Sequence, residues 1–126
     1  MVKKLKDSGV VTIPTIAARR HAEKVAEWGV DAVIAQGSEG GGHTGEVPTA
    51  VLVPQVTSAV DIPVLAAGGI TDGKGLVASL AWGAEGIAMG TRFLLSEESG
   101  VPQSVKQAYF ESAVTDTVRT LSLIHI

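Results

Sequence analysis

Apolar positions along the chain fall into short unbroken runs that alternate with stretches of helical spacing. Gly9-Val-Val-Thr-Ile-Pro-Thr-Ile16 is rich in β-branched residues and reads as a strand. Its Pro14 suits a strand end better than a strand middle. Ala17 to Trp28 sets Ala18, Ala22, Val25 and Ala26 on one helical face, and Gly29 follows as a stop. Val30 to Ala35 is a second strand, and a helix is expected from about Thr49 to Val60. Asp61-Ile-Pro turns the chain into a third strand, Val64 to Ala67. A helix from about Asp72 to Trp82 follows, its buried face read as Leu76, Val77, Leu80 and Ala81, with Thr71 or Asp72 as N-cap. Gly86 to Met89 is a fourth strand, and a last helix is expected from about Pro102 to Ala113.

Strand, loop and helix thus recur four times. The strands are apolar throughout rather than alternating, as in a parallel sheet covered on both faces. Two α/β architectures fit: an open doubly wound sheet, or part of a TIM (β/α)8 barrel. The glycines favour the barrel. Three glycine loops, at 36–45, 68–71 and 90–92, all follow strands, and barrel active sites lie on that face. The last two match the phosphate site commonly formed after strands 7 and 8. The four strands are then strands 5 to 8, and residues 1–120 read as the carboxyl-terminal half of a barrel. Such a half has two open strand edges and an uncovered apolar face. Leu121-Ser-Leu-Ile-His-Ile126 is what a common transposon-adapter sequence encodes, and residues 121–126 are expected to be a sequencing artefact.

Composition narrows the functional classes. The 126 residues suit one domain and, at 45% hydrophobic and 18% charged, a packed core. A net charge of −3 with no clustered Lys and Arg argues against nucleic acid. Lys3, Lys4 and Lys6 read as a solvated surface. The absence of cysteine excludes disulfides, thiolate metal sites and Cys nucleophiles. No apolar run reaches the roughly 18 residues of a membrane span, and Met1-Val-Lys-Lys lacks the apolar core of a secretory signal. A soluble cytoplasmic protein, with no membrane partner, is the expectation.

The chemistry centres on Gln36-Gly-Ser-Glu-Gly-Gly-Gly-His43-Thr-Gly45, a loop with five glycines and one imidazole. Glycine lets backbone approach a ligand, and a histidine held there can move protons near neutral pH. Gly68 and Gly69, with Gly90 and Thr91, are the phosphate candidates, because amides freed at a helix start bind an anion without formal charge. No dinucleotide fingerprint or P-loop is present, so the phosphate of a smaller cofactor or substrate is preferred. Gln36, at a strand exit, suits the polar edge of a flat heterocycle or a structural bond. Arg92 suits either the phosphate or an ion pair in the barrel wall. His21 reads as surface, and His125 belongs to the suspected artefact. No second histidine stands at i+4 from His43, so a metal site is not expected. Trp28 and Trp82 end their helices and read as packing residues.

These pieces resemble the nitronate monooxygenase family, formerly the 2-nitropropane dioxygenases. The resemblance rests on Gln36-Gly, Glu39-Gly-Gly-Gly-His43-Thr-Gly, Leu52-Val-Pro-Gln-Val, Pro63-Val-Leu-Ala-Ala-Gly-Gly-Ile70, Asp72-Gly-Lys-Gly, Gly83-Ala-Glu-Gly and Met89-Gly-Thr-Arg-Phe93. It implies an FMN-binding barrel in which Gly68, Gly69, Gly90 and Thr91 hold the phosphate. Gln36 and Gly41 lie along the flavin, and Met89 is counted with the cofactor contacts. His43 is implied as the base that takes the proton α to a nitro group, O2 completing oxidation to a carbonyl compound and nitrite. An FMN-dependent enoyl thioester reductase using NAD(P)H shares the barrel and the Gly-Gly-His loop, and is the rival implication. A non-catalytic phosphate or flavin binder is the third. The family's amino-terminal half, with further flavin contacts, is expected as the complement of this chain.

Overall fold

The computed structural model describes residues 2–118. They form two compact units that divide between Gly90 and Thr91. The first contains α1 (Val2–Asp7), β1 (Thr15–Ile16), α2 (Arg19–Glu27), β2 (Val33–Gln36), α3 (Thr49–Thr57), β3 (Val64–Ala67), α4 (Gly73–Ala81) and β4 (Gly86–Ala88). The second contains α5 (Thr91–Leu94) and α6 (Gln103–Glu111). Residues 121–126, expected to be an artefact, lie outside the described residues.

The strands form one parallel sheet in the order β1-β2-β3-β4. The order never reverses, so these four strands contain no topological switch point of the doubly wound kind. Four sequential βα units are half of an eight-stranded barrel. Gln36 pairs with Ala67, and Ala67 with Ala88, so the carboxyl ends of β2, β3 and β4 lie side by side.

The core follows from the apolar runs. Val33, Ala35, Leu52, Val53, Val56 and Ala66 are fully buried, with Ala22 closing the α2 side. Val33 and Ala35 supply the inward positions of β2 at a period of two. Leu52, Val53 and Val56 are the i, i+1, i+4 stripe of α3. α3 ends at Thr57, short of the expected Val60.

Four expectations change. Of the strand read at 9–16, only Thr15–Ile16 joins the ladder. The Pro14 carbonyl accepts from Ile34 N (2.9 Å), so the N–H that proline lacks would have faced β2 and carried the ladder backward. Thr12 O still accepts from Asp31 N (3.0 Å), keeping the segment alongside. Second, the amino-terminal lysines are all exposed, as expected, but Lys6 is not merely solvated. They lie on α1, where Lys6 donates to the Gly29 carbonyl and stands 3.7 Å from Asp31.

Third, α4 buries a different face from the one expected. Val77 and Leu80 are 66% and 48% exposed, while Ser79 is fully buried. The helix runs too close to the preceding loop for large side chains. A Cβ on Gly75 would already lie 2.8 Å from Ile70 Cγ2, and the Ser79 hydroxyl is satisfied by the Gly75 carbonyl at 2.8 Å. Trp28 is also more exposed than a packing role implies, with Lys24 Nζ 5.6 Å from its ring centre.

Candidate active site

Because the strands are parallel, the glycine loops that leave β2, β3 and β4 emerge at one end of the sheet. The loops after β2 and β3 touch. A Cβ on Gly68 would fall 3.0 Å from Gly40 N, 3.1 Å from Gly37 O and 3.1 Å from Thr49 Oγ1. Gly68 and Gly69 have φ of +95° and +70°, a left-handed conformation that favours glycine. The paired glycines of this turn therefore have a steric cause.

The first half of the His43 loop is tied down by backbone hydrogen bonds. Gly37 N donates to Ala67 O (3.0 Å), Ser38 N to Val47 O (2.9 Å) and Gly40 N to Gly37 O (3.0 Å). Gln36 Nε2 donates to the Gly41 carbonyl (3.1 Å), so its amide nitrogen shapes the loop. Its carbonyl oxygen has no protein partner among the described residues. His43 itself is exposed, and among the described residues it has no hydrogen-bond partner.

A carboxylate the sequence did not single out links the two loops. Glu39 accepts from Thr49 N at 3.2 and 3.0 Å through its two oxygens, and Oε2 lies 2.9 Å from Thr49 Oγ1. Thr49 is buried at the first position of α3, and its hydroxyl also lies 2.9 Å from Gly68 O. Partial burial pushes the Glu39 carboxyl up. Hydrogen bonds from its own amide, from the Thr49 amide and hydroxyl, and from the Ser38 hydroxyl outweigh this and hold it below its ordinary value. Ten residues separate Glu39 from Thr49, so no local spacing marks the pair; the loop folding back on itself, closed by the Ser38 N to Val47 O bond, brings them together.

Asp72 does cap α4, as one of the two residues expected. Its Oδ1 accepts from Lys74 N (2.9 Å) and Gly75 N (3.1 Å). Those amides are thereby withdrawn from any anion. An anion at this rim would meet the glycine turns ahead of the helix instead.

Backbone at this end of the sheet has room for a bound group. Cβ positions at Gly41 and Gly90 have no atom within 4 Å, so backbone there is open to close approach by a ligand. Met89 is half-buried just beyond β4. Thr91 and Arg92 open the second unit on α5, both exposed, and among the described residues Arg92 makes no ion pair. The ion pair in the barrel wall considered for Arg92 is therefore not formed there. His21 is exposed, as expected.

The second unit has its own buried cation. Lys106 is 6% exposed and donates to the Ser96 and Ser99 carbonyls at 2.7 and 3.0 Å. It borders a cavity of about 340 Å³ with Leu95, Glu97, Gln103 and Phe110. Among the described residues no helix is long and apolar enough to cross a membrane.

Comparison with known proteins gives a consistent picture. The family model described as nitronate monooxygenase matches residues 1–123. A Rhodococcus jostii protein, (3aS,4S,5R,7aS)-5-hydroxy-7a-methyl-1-oxo-octahydro-1H-indene-4-carboxyl-CoA dehydrogenase, is 62% identical over 117 residues, 93% of this chain and 33% of that protein. FabK from Thermotoga maritima superposes with a TM-score of 0.90 and 49% identity, over 92% of this chain and 37% of its own. Nitroalkane oxidase from Streptomyces ansochromogenes gives 0.79 and 42%, over 85% and 34%. The chain spans about a third of the length of the relatives it matches.

Proposed function

The chain belongs to the nitronate monooxygenase family, and on that premise we propose that the whole protein is an FMN-dependent oxidoreductase acting on carbon acids. The observation that carries this reading is the shared rim. The glycine-borne imidazole of residue 43 leaves the sheet at the same end as the turns at 68–69 and at 90, and the first two loops are in contact.

In this reading Gly68, Gly69 and Gly90 present backbone to the FMN phosphate. Gly41, Gln36 and Met89 line the flavin, the Gln36 carbonyl oxygen being the atom left for it. When bound, FMN supplies a two-electron acceptor next to the substrate. His43, as the neutral imidazole, takes the proton from the carbon α to an activating group. Its exposed position leaves both ring nitrogens open to substrate. Gly40, Gly41 and Gly42 keep side chains away from the space between imidazole and substrate.

Two activating groups meet this demand. A nitro group gives the nitronate chemistry of the family name, with O2 as final oxidant. A thioester carbonyl gives dehydrogenation of an acyl-CoA, or in reverse the reduction of an enoyl thioester by NAD(P)H. The 62% identity to a CoA dehydrogenase favours the thioester. Assays of the full-length protein separate them. Oxygen uptake and nitrite release with an alkyl nitronate support the first. Acceptor-dependent desaturation of an acyl-CoA, without nitronate turnover, supports the second. A full-length protein that never carries flavin ends both readings.

A further inference from the structure

We propose that Glu39 is a positioning residue that fastens the His43 loop to the Gly68–Gly69 turn, so that the base and the phosphate-binding turn move as one piece. The inference rests on the functional reading above for its catalytic consequence, but its structural content stands on this chain alone. Glu39 lies four residues before His43, within the loop that carries it. Its side chain crosses the rim: a Cβ on Gly69 would meet Glu39 Cβ at 3.2 Å and Cγ at 3.4 Å. The carboxylate ends on the Thr49 amide and hydroxyl at the start of α3. That hydroxyl is in turn 2.9 Å from Gly68 O and 3.3 Å from Ala67 O. One charged group thus touches the β2 loop, the β3 turn and the amino end of α3.

Two features separate a clamp from a simple helix cap. A cap needs only the Thr49 amide, and a residue next to the helix supplies it most directly. Here the group comes from ten residues upstream, and the Thr49 hydroxyl has acceptors on both sides of it. It carries one proton, shared between the carboxylate and the Gly68 carbonyl. Losing either acceptor changes how the other loop is held. Gly37, Gly40 and Gly68 crowd around this junction, so the arrangement has little slack.

The test compares wild-type full-length protein with Glu39→Gln and Thr49→Val by amide hydrogen exchange, FMN affinity and steady-state kinetics. Glu39→Gln keeps the shape, so folding is retained even if Glu39→Ala fails to fold. The clamp predicts exchange about tenfold faster or more in both 37–45 and 68–70, in both variants. It also predicts kcat reduced about tenfold with KM little changed, and weaker FMN binding. Acceleration confined to the first turn of α3, with kcat and FMN affinity at wild-type levels, overturns the proposal and leaves Glu39 a cap. If wild-type protein binds no FMN, the functional reading fails, and the exchange pattern alone still decides for or against the clamp.

Discussion

Gly37 and Thr49 stand so close that a Cβ on the glycine would lie 2.1 Å from the threonine Oγ1 and 2.4 Å from its backbone nitrogen. No side chain fits there without moving the start of α3. Gly37→Ala is therefore expected to destabilise the chain by about 3 kcal/mol, as overpacking against backbone does. Denaturant unfolding of the two proteins measures it. A change below about 0.5 kcal/mol, the level of an ordinary surface site, would mean that the loop and helix are not in contact.

His43 is proposed to move a proton and to bear no structural load, since it is exposed and has no partner among the described residues. In full-length protein His43→Asn should retain FMN and melting temperature. Its turnover of a substrate that still carries the α proton, a neutral nitroalkane or an acyl-CoA, should drop about 10²- to 10⁴-fold, the usual worth of a general base. Flavin content, melting curve and kcat are read on the same preparation, and unchanged kcat removes His43 from the mechanism.

Asp31 accepts from the Thr12 amide (2.7 Å) and hydroxyl (2.8 Å), which hold its carboxyl below the ordinary value, with Lys6 adding a smaller pull. The sign follows from linkage. The folded state prefers the ionised form, so the stabilisation is fully present above the unfolded value of about 4 and is lost as pH falls through the lower folded value. Asp31→Asn should flatten this acid limb. Urea midpoints between pH 3 and 6, roughly the window around that pKa, give the comparison; parallel curves for both proteins exclude the effect.

Lys106 is buried, and its ammonium donates to the Ser96 and Ser99 carbonyls. Lys106→Met keeps the stem and leaves both carbonyls without that donor. The expected cost is about 2 kcal/mol, from losing hydrogen bonds to a charged group. Thermal unfolding checks this, and a variant as stable as wild type would show those carbonyls to be hydrated.

Much of this architecture could be read from residue patterns because parallel sheets write themselves as apolar runs between glycine turns. Val64–Ala67 was legible to the residue, and Asp72 as a cap, since both depend on neighbours in sequence. The failures share one cause. Pro14 and the face of α4 depend on which side of an element meets a neighbour, and helical spacing alone reports no neighbour. Val77 and Leu80 carry the apolar signal, yet the closest approach selects Gly75 and Ser79. At the candidate site, His43 and the glycines could be found by type and place. Glu39 and Thr49 could not, since their meeting is made by a loop that folds back through the Ser38–Val47 backbone bond, which no spacing announces.

The crowding at Gly68 also bears on engineering. Its Cβ position lies within about 3 Å of Gly40, Gly37 and Thr49, which belong to two other segments. Substitutions at these four sites will therefore be non-additive, each changing what its neighbours tolerate. Libraries meant to retune substrate choice at this end of the sheet should vary the four together, because combinations that work will be missed by one-at-a-time scanning.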